Sequence, residues 1–384
     1  MQQKGRSRYK AANAENERRK KQLRSWGIAV AAVLLIVCAV LVIRHLGGSG
    51  QVSVNTLPCT ADQSITVFGD GILYYDGVSI HAVSGSGAIR WSFAVGSNAE
   101  FSVSDDHLVL WSGSQLYILD QNGNPTYNED MGSEIQLARV GSRYCAVVIG
   151  EDTEPELLIK SMDGTQVDSE TEAFSGMLVL DAGFYGDNDQ YMWTLSLDVY
   201  GVAINTVLNT FQVSKMNNGV VDLGEYLAYR CLYESGRLRV FTTQQMYTYD
   251  YKAVQDTSRT MLVFGWQLID YAIPDSLSAA NMLLATTSQL TGSMEITELR
   301  VLTDTTDRRF SLPAACVGAG LCGNNIYAIA GNALYYTAVN GTRFTEEEIS
   351  LPGGGSITGL VGITSGKRAI VTSGTGVYAV TLPD

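Results

Sequence analysis

Side chains that do chemistry are scarce in this chain. It holds three histidines, six cysteines and seven prolines in 384 residues. So few prolines exclude a proline-rich stalk. Six cysteines over this length exclude a disulfide-dense miniprotein. Charged residues make up only 17% against 46% apolar, which excludes a disordered chain. Acids outnumber bases 39 to 26, for a net charge of -13, the wrong sign for holding nucleic acid.

The sparse candidates for catalysis or metal binding do not assemble. The histidines are His45, His81 and His107, and no two share metal-ligand spacing. His107, beside Asp105 and Asp106, comes nearest to a hydrolase constellation, but no nucleophile-elbow motif supplies a serine. A polar cluster at a turn end accounts for it. Asp187-Asn188-Asp189 matches a fragment of a calcium loop without the following glycine and distal glutamate, so it reads as a solvated turn. Glu346-Glu347-Glu348 reads as a solvated charge run. No catalytic, metal or cofactor-binding residue is assigned, and no cofactor is expected. Beyond Cys38 there are five cysteines: Cys59, Cys145, Cys231, Cys316 and Cys322. An odd number leaves at least one free. Cys316 and Cys322 flank an expected hairpin turn and are the pair to consider, although buried free thiols in strands are the simpler reading.

What is present is a division of the chain into an inside, a crossing and an outside. Residues 1–25 hold nine basic residues and two acids, a net +7, so the remainder carries -20. Trp26 to Ile43 is an uncharged apolar run. As a helix, its 18 residues span about 27 Å, close to the hydrocarbon thickness of a bilayer. The basic flank is longer than a signal peptide's, and the exit, Arg44-His45-Leu46, lacks the small-residue cleavage pattern. Residues 26–46 are therefore expected to be a permanent anchor. Positive-inside asymmetry places residues 1–25 in the cytoplasm and the rest outside, at a cell envelope. The basic tail is already needed for that orientation, which leaves anionic-lipid contact as its secondary reading. Residues 47–50, Gly-Gly-Ser-Gly, form a flexible spacer.

From residue 51 to 384 one phrase recurs: a short apolar strand, a polar turn, then another strand. It appears at Ile80–Val83, Leu116–Leu119, Leu157–Lys160, Phe211–Val213, Met246–Tyr249, Ile296–Leu299, Leu334–Tyr336 and Val377–Val380. The turn glycines Gly87, Gly123, Gly164 and Gly219 lie 36, 41 and 55 residues apart. A period near 40 with four strands per unit is that of a β-propeller. Seven units look complete, and 357–381 supplies three strands of an eighth. Val52–Leu57 has no unit of its own and completes the last blade, closing the ring and removing a free edge. The expected fold is all-β, with eight four-stranded antiparallel blades and seven as the alternative. Residues 186–206 and 272–295 are insertions, the second with a short helix over 274–280. Long insertions on a rigid ring often carry binding, but tolerated decoration is the favoured reading of these two.

The phrases Leu116–Gly123, Leu157–Gly164 and Leu334–Gly341 resemble the repeats of PQQ-like and WD-repeat-like propellers. With its basic tail and single helix, the whole chain resembles a family of membrane-anchored propeller proteins of Gram-positive bacteria whose function is unassigned. It is also similar to the propeller lipoprotein of outer-membrane protein assembly, a scaffold. No lipobox cysteine stands here, so that role does not carry over. Quinoprotein dehydrogenases of this fold have regular tryptophan docking repeats and often a vicinal cysteine pair. Trp91, Trp111, Trp193 and Trp266 fall at unlike positions, and no such pair exists, which disfavours PQQ. The expectation is a non-enzymatic binding or scaffold module for a protein or cell-wall partner. The alternatives are a polysaccharide-active enzyme using channel carboxylates, or a sensor signalling through its short tail.

Overall fold

The computed structural model describes residues 52–384 apart from 153, 216–218, 274–278 and 287–294. The tail, anchor and spacer read at 1–50, and most of the helix expected at 274–280, lie outside the described residues. No described helix is long and apolar enough to cross a membrane.

Eight four-stranded antiparallel sheets follow one another along the chain. Blades 1 to 7 occupy residues 64–94, 100–130, 135–170, 177–222, 228–262, 266–316 and 318–348. Blade 8 takes its three inner strands from Gly359–Ile363, Arg368–Ser373 and Gly376–Thr381, and its outer strand from Val54–Thr60. The eight-bladed reading therefore holds, and so does closure by the N-terminal strand. Asn55 pairs with Ala379, and the Thr381 N–H donates to the Ser53 carbonyl at 2.9 Å. Pro58 falls in this outer strand at a register shift, where it removes no ladder bond. All eight recurring phrases are the third strands of their blades.

The second strands read as unbroken apolar runs because both of their faces are covered. In His107–Ser112, Leu108 and Leu110 pack toward blade 1, while Val109 and Trp111 pack toward blade 3. The core is accordingly not one cluster but eight, one at each blade interface. No blade can bury both faces alone, so the ring must close to be stable. The inner strands of blades 3, 4, 5, 6 and 8 each shift register once, as at Gln136 and Tyr229. Such bulges bend a strand and re-aim its side chains.

Two expectations are corrected. Cys316 and Cys322 do not flank a hairpin turn: the whole inner strand Gly318–Cys322 separates them. At about 3.3 Å per residue they lie too far apart for a disulfide. All five cysteines are free. Burial pushes the thiols up, Cys59 to about 11 and Cys145 and Cys316 to about 12. Asp189, read as part of a solvated turn, is instead buried, 8% exposed, and locks blade 4 onto blade 3. Its carboxylate accepts from the Arg143 N–H at 2.7 Å and from the Ser142 hydroxyl at 3.0 Å.

Candidate functional site

The strand directions sort all turns onto two faces. The turns between first and second strands and between third and fourth strands share one face. Both ends of the ring emerge there: Ser53 bonds Thr381, and the Leu382 N–H donates to the Lys367 carbonyl. We call this the terminal face. The turns between second and third strands, and the blade-to-blade connectors, make the distal face.

Charge divides between them. Arg90, Arg143, Lys215, Arg237, Lys252, Arg259, Arg308, Arg343, Lys367 and Arg368 all lie in terminal-face turns or at the strand ends beside them. Among the described residues, no lysine or arginine lies in a distal turn, a connector or a strand end flanking one. Asp62, Asp76, Glu100, Asp130, Glu134, Glu151, Asp152, Glu172, Asp198, Asp222 and Glu225 do. Arg230, third in the inner strand Ala228–Glu234, is the cation nearest that face along the chain. A one-signed surface attracts ligands of the other sign over about a Debye length, roughly 8 Å at physiological salt.

The terminal face carries its charges in pairs. Glu234 and Arg239, with side chains 1% and 3% exposed, meet at 2.6 Å. Arg239 also donates to Asp304 at 2.7 Å and to the Thr248 hydroxyl at 2.8 Å, and Arg259 reaches Asp304 at 2.6 Å. This network lines a cleft of about 450 Å³ between blades 5 and 6. A second cleft, about 440 Å³, opens between blades 1 and 2 beside Trp91. Trp91 donates to the Gln121 carbonyl at 3.1 Å and covers Gly123 of the next blade.

On the distal face the exposed groups are apolar as well as acidic. Val199, Tyr200, Val202 and Ile204 stand out on the turn of blade 4. The Asp198 carboxylate shapes it by accepting from the Tyr200 and Gly201 amides, each at 3.0 Å. Tyr226 and Leu227 project from the next connector, and Leu262 and Phe264 from the one after. Backbone bonds join these segments. Thr206 and Leu223–Gly224 exchange two, Thr243 donates to Leu227, and Val263 donates to Gln244. The eight side chains thus stand on one continuous strip of blades 4 and 5. Residues 186–206, expected as an insertion, are for the most part the second strand of blade 4, Tyr191–Asp198, and the start of its third; only the turn between them, 199–204, contributes to the strip, half of it.

The inner strands carry a further set of charges. Arg139 Nε meets Asp181 Oδ1 at 2.7 Å across blades 3 and 4. Tyr229, Arg230, Leu268, Ile269, Asp270 and Tyr271 line a cavity of about 270 Å³ between blades 5 and 6. Asp270 accepts from the Leu321 amide at 2.7 Å and from the Tyr271 amide at 2.8 Å, while burial raises its carboxyl above the ordinary range. Of the inner-strand acids, Asp181 and Glu234 are each engaged by an arginine and Asp270 by two amides, while Glu100 stands exposed at the distal end of its strand.

His107 heads the second strand of blade 2, where Ser104 accepts from its amide and donates to the Gly141 carbonyl. The serine is thus a backbone cap. Neither Asp105 nor Asp106 engages the imidazole, whose buried Nδ1 has no hydrogen-bond partner. His81 holds what the sequence did not suggest: its Nδ1 meets the Ser92 hydroxyl at 2.7 Å and its Nε2 meets Asp76 at 2.9 Å. The ring nitrogens are reversed relative to a hydrolase triad, and Ser92 sits on a flat outer strand. Strand pairing explains it, since His81 and Ser92 are cross-strand partners. No group of three metal-ligating side chains occurs among the described residues.

The chain matches no protein-family model and no curated protein. Among solved structures it is similar to BamB from Moraxella catarrhalis, at 13% identity and TM-score 0.51 over 86% of this chain and 97% of that one. It is similar to Sqt1 of Saccharomyces cerevisiae at 10% identity and TM-score 0.55, over 86% and 100%. Chaetomium thermophilum Sqt1 bound to the N-terminus of ribosomal protein L10 matches at 12% identity and TM-score 0.51, over 87% and 98%. At these identities the likeness is one of fold.

Proposed function

We propose that this propeller is a protein-binding scaffold whose working surface is the distal face of blades 4 and 5. The carrying observation is the strip of exposed apolar side chains from Val199 to Phe264 on a face whose described turns, connectors and flanking strand ends hold no lysine or arginine. A monomer exposes contiguous apolar surface of this kind chiefly where something docks. The Sqt1 structure with a segment of ribosomal protein L10 offers a parallel on this fold. We further propose that residues 26–46 anchor the ring to a bacterial cytoplasmic membrane, with 1–25 inside. A glycan-cleaving enzyme is the weaker reading, since it needs paired carboxylates able to exchange protons, and Asp181 and Asp270 are already engaged.

Crosslinking from intact membranes, followed by purification of the full chain, tests the binding reading. A discrete partner is expected with the native protein, and its loss is expected with Tyr226→Ser/Phe264→Ser. An identical crosslinking pattern for the two would sink it. Protease added to intact spheroplasts is expected to digest the ring and spare the tail. The opposite pattern would overturn the orientation.

A further inference from the structure

We propose that the occupant of the distal strip is a protein segment rich in lysine and arginine that also carries aromatic or aliphatic anchors. This rests on the protein-binding reading above and adds the partner's chemistry.

Two features that need not coincide meet on this strip. Tyr200, Val202, Ile204, Tyr226, Leu262 and Phe264 are each more than two-fifths exposed, so they offer apolar area that folding left in water. Burying such groups gives a complex its affinity. Asp198, Asp222 and Glu225 stand among them, and among the described residues the nearest lysine or arginine along the chain is Arg230, third in the inner strand Ala228–Glu234. Two of these acids are aimed by their own turns: Asp198 caps Tyr200 and Gly201, and Asp222 accepts from the Gly224 amide at 2.7 Å. Those amide bonds hold the two carboxylates in place. Pairs formed at such an exposed rim add little affinity. They set the rate of encounter and reject acidic competitors. The charge of the whole face therefore selects the partner, and the apolar strip holds it.

The alternation of loops favours an extended segment. The strip is formed by a turn and two connectors from successive blades, and these lie side by side across the ring. A chain laid over them meets apolar anchors flanked by acids. A second copy of this protein is a poorer occupant, since it would bring one acidic face against another.

The test is selection of a random peptide library displayed on phage against the full chain in detergent. The proposal expects enriched sequences with net positive charge and at least one aromatic or large aliphatic residue. Synthetic versions should bind about tenfold or more weakly to Tyr226→Ser/Phe264→Ser, and also to Asp222→Lys/Glu225→Lys. Raising salt from low to high should slow their association. Circular dichroism verifies that both exposed variants stay folded. Enriched peptides without net positive charge, or with affinity unchanged in both variants, overturn the chemistry while leaving protein binding intact. A library yielding no binder overturns both readings. Light scattering that shows a dimer abolished by Tyr226→Ser/Phe264→Ser would assign the strip to a second copy and overturn the proposal.

Discussion

Glu234 and Arg239 show how strongly single side chains tie neighbouring blades. Both are buried, and each retains a further partner: the Ala280 amide for the acid, and Asp304 and Thr248 for the guanidinium. Removing one partner of a buried pair leaves an uncompensated charge. Arg239→Met is expected to lower stability by about 3–5 kcal/mol in urea unfolding. Arg239→Met/Glu234→Leu should recover most of that loss, because neither buried charge then remains. Asp76 makes a pH-dependent contribution. The hydrogen bond from His81, then the Ser79 and Val78 amides, hold its carboxyl at about 2, below the ordinary 3.8. The folded value is the lower one, so this stabilisation is complete above the ordinary value and is lost as pH falls toward 2. Asp76→Asn is expected to flatten the stability profile in that acid window, read by thermal melts across pH.

Among the elements, the third-to-fourth turn does two jobs at once. Gly164 has φ +84°, and a Cβ there would fall 2.0 Å from the ring of Tyr127 on the preceding blade. Gly123 stands in the same relation to Trp91, with φ +79°. The turn glycines, legible as reversal signals, are also seats for the neighbour's aromatic. Gly113 has φ +58° with open space around it. Gly164→Ala should therefore cost about 3 kcal/mol, strain plus overlap, against about 1 kcal/mol for Gly113→Ala, strain alone. Chemical melts of the two variants make the comparison. Equal losses would mean that the Tyr127 contact carries no weight.

For the molecule as a whole, closure is the weak point and the most testable. Val54–Thr60 covers the edge of the last blade and adds Leu57 and Cys59 to the interface with blade 1. Deleting 52–60 should lower the melting temperature by roughly 10 °C and expose the third strand Gly376–Thr381 as an edge. Size-exclusion chromatography is expected to show soluble aggregates. An unchanged monomer with an unchanged melt would mean that the ring does not depend on this strand.

The eight third strands were legible because each is a short apolar run beside a turn built from glycine, asparagine or aspartate, and both signals are local. Ring closure was legible by counting, since one strand was left over at the N-terminal end and three at the C-terminal end. Cys316 and Cys322 misled because the inner strand Gly318–Cys322, Gly-Ala-Gly-Leu-Cys, is short and has glycine at two of its first three positions, so it passes for a turn. The Ser92–His81–Asp76 chain was missed because it depends on strand register, which pairs residues eleven apart. The apolar residues of the distal strip run from Val199 to Phe264, singly or in short groups, and none is unusual in its own stretch of sequence.

Composition and period alone therefore determined the fold, the blade number and the scarcity of chemistry, because strand and turn preferences act over a few residues. Tertiary structure alone decided how charge is divided. A lysine and an aspartate in neighbouring turns look alike as surface residues until the direction of each strand sends one to the terminal face and the other to the distal face. The ring's negative charge is for that reason not evenly spread: its cations gather at the face where the two ends of the ring meet, and the opposite face is left acidic and partly apolar.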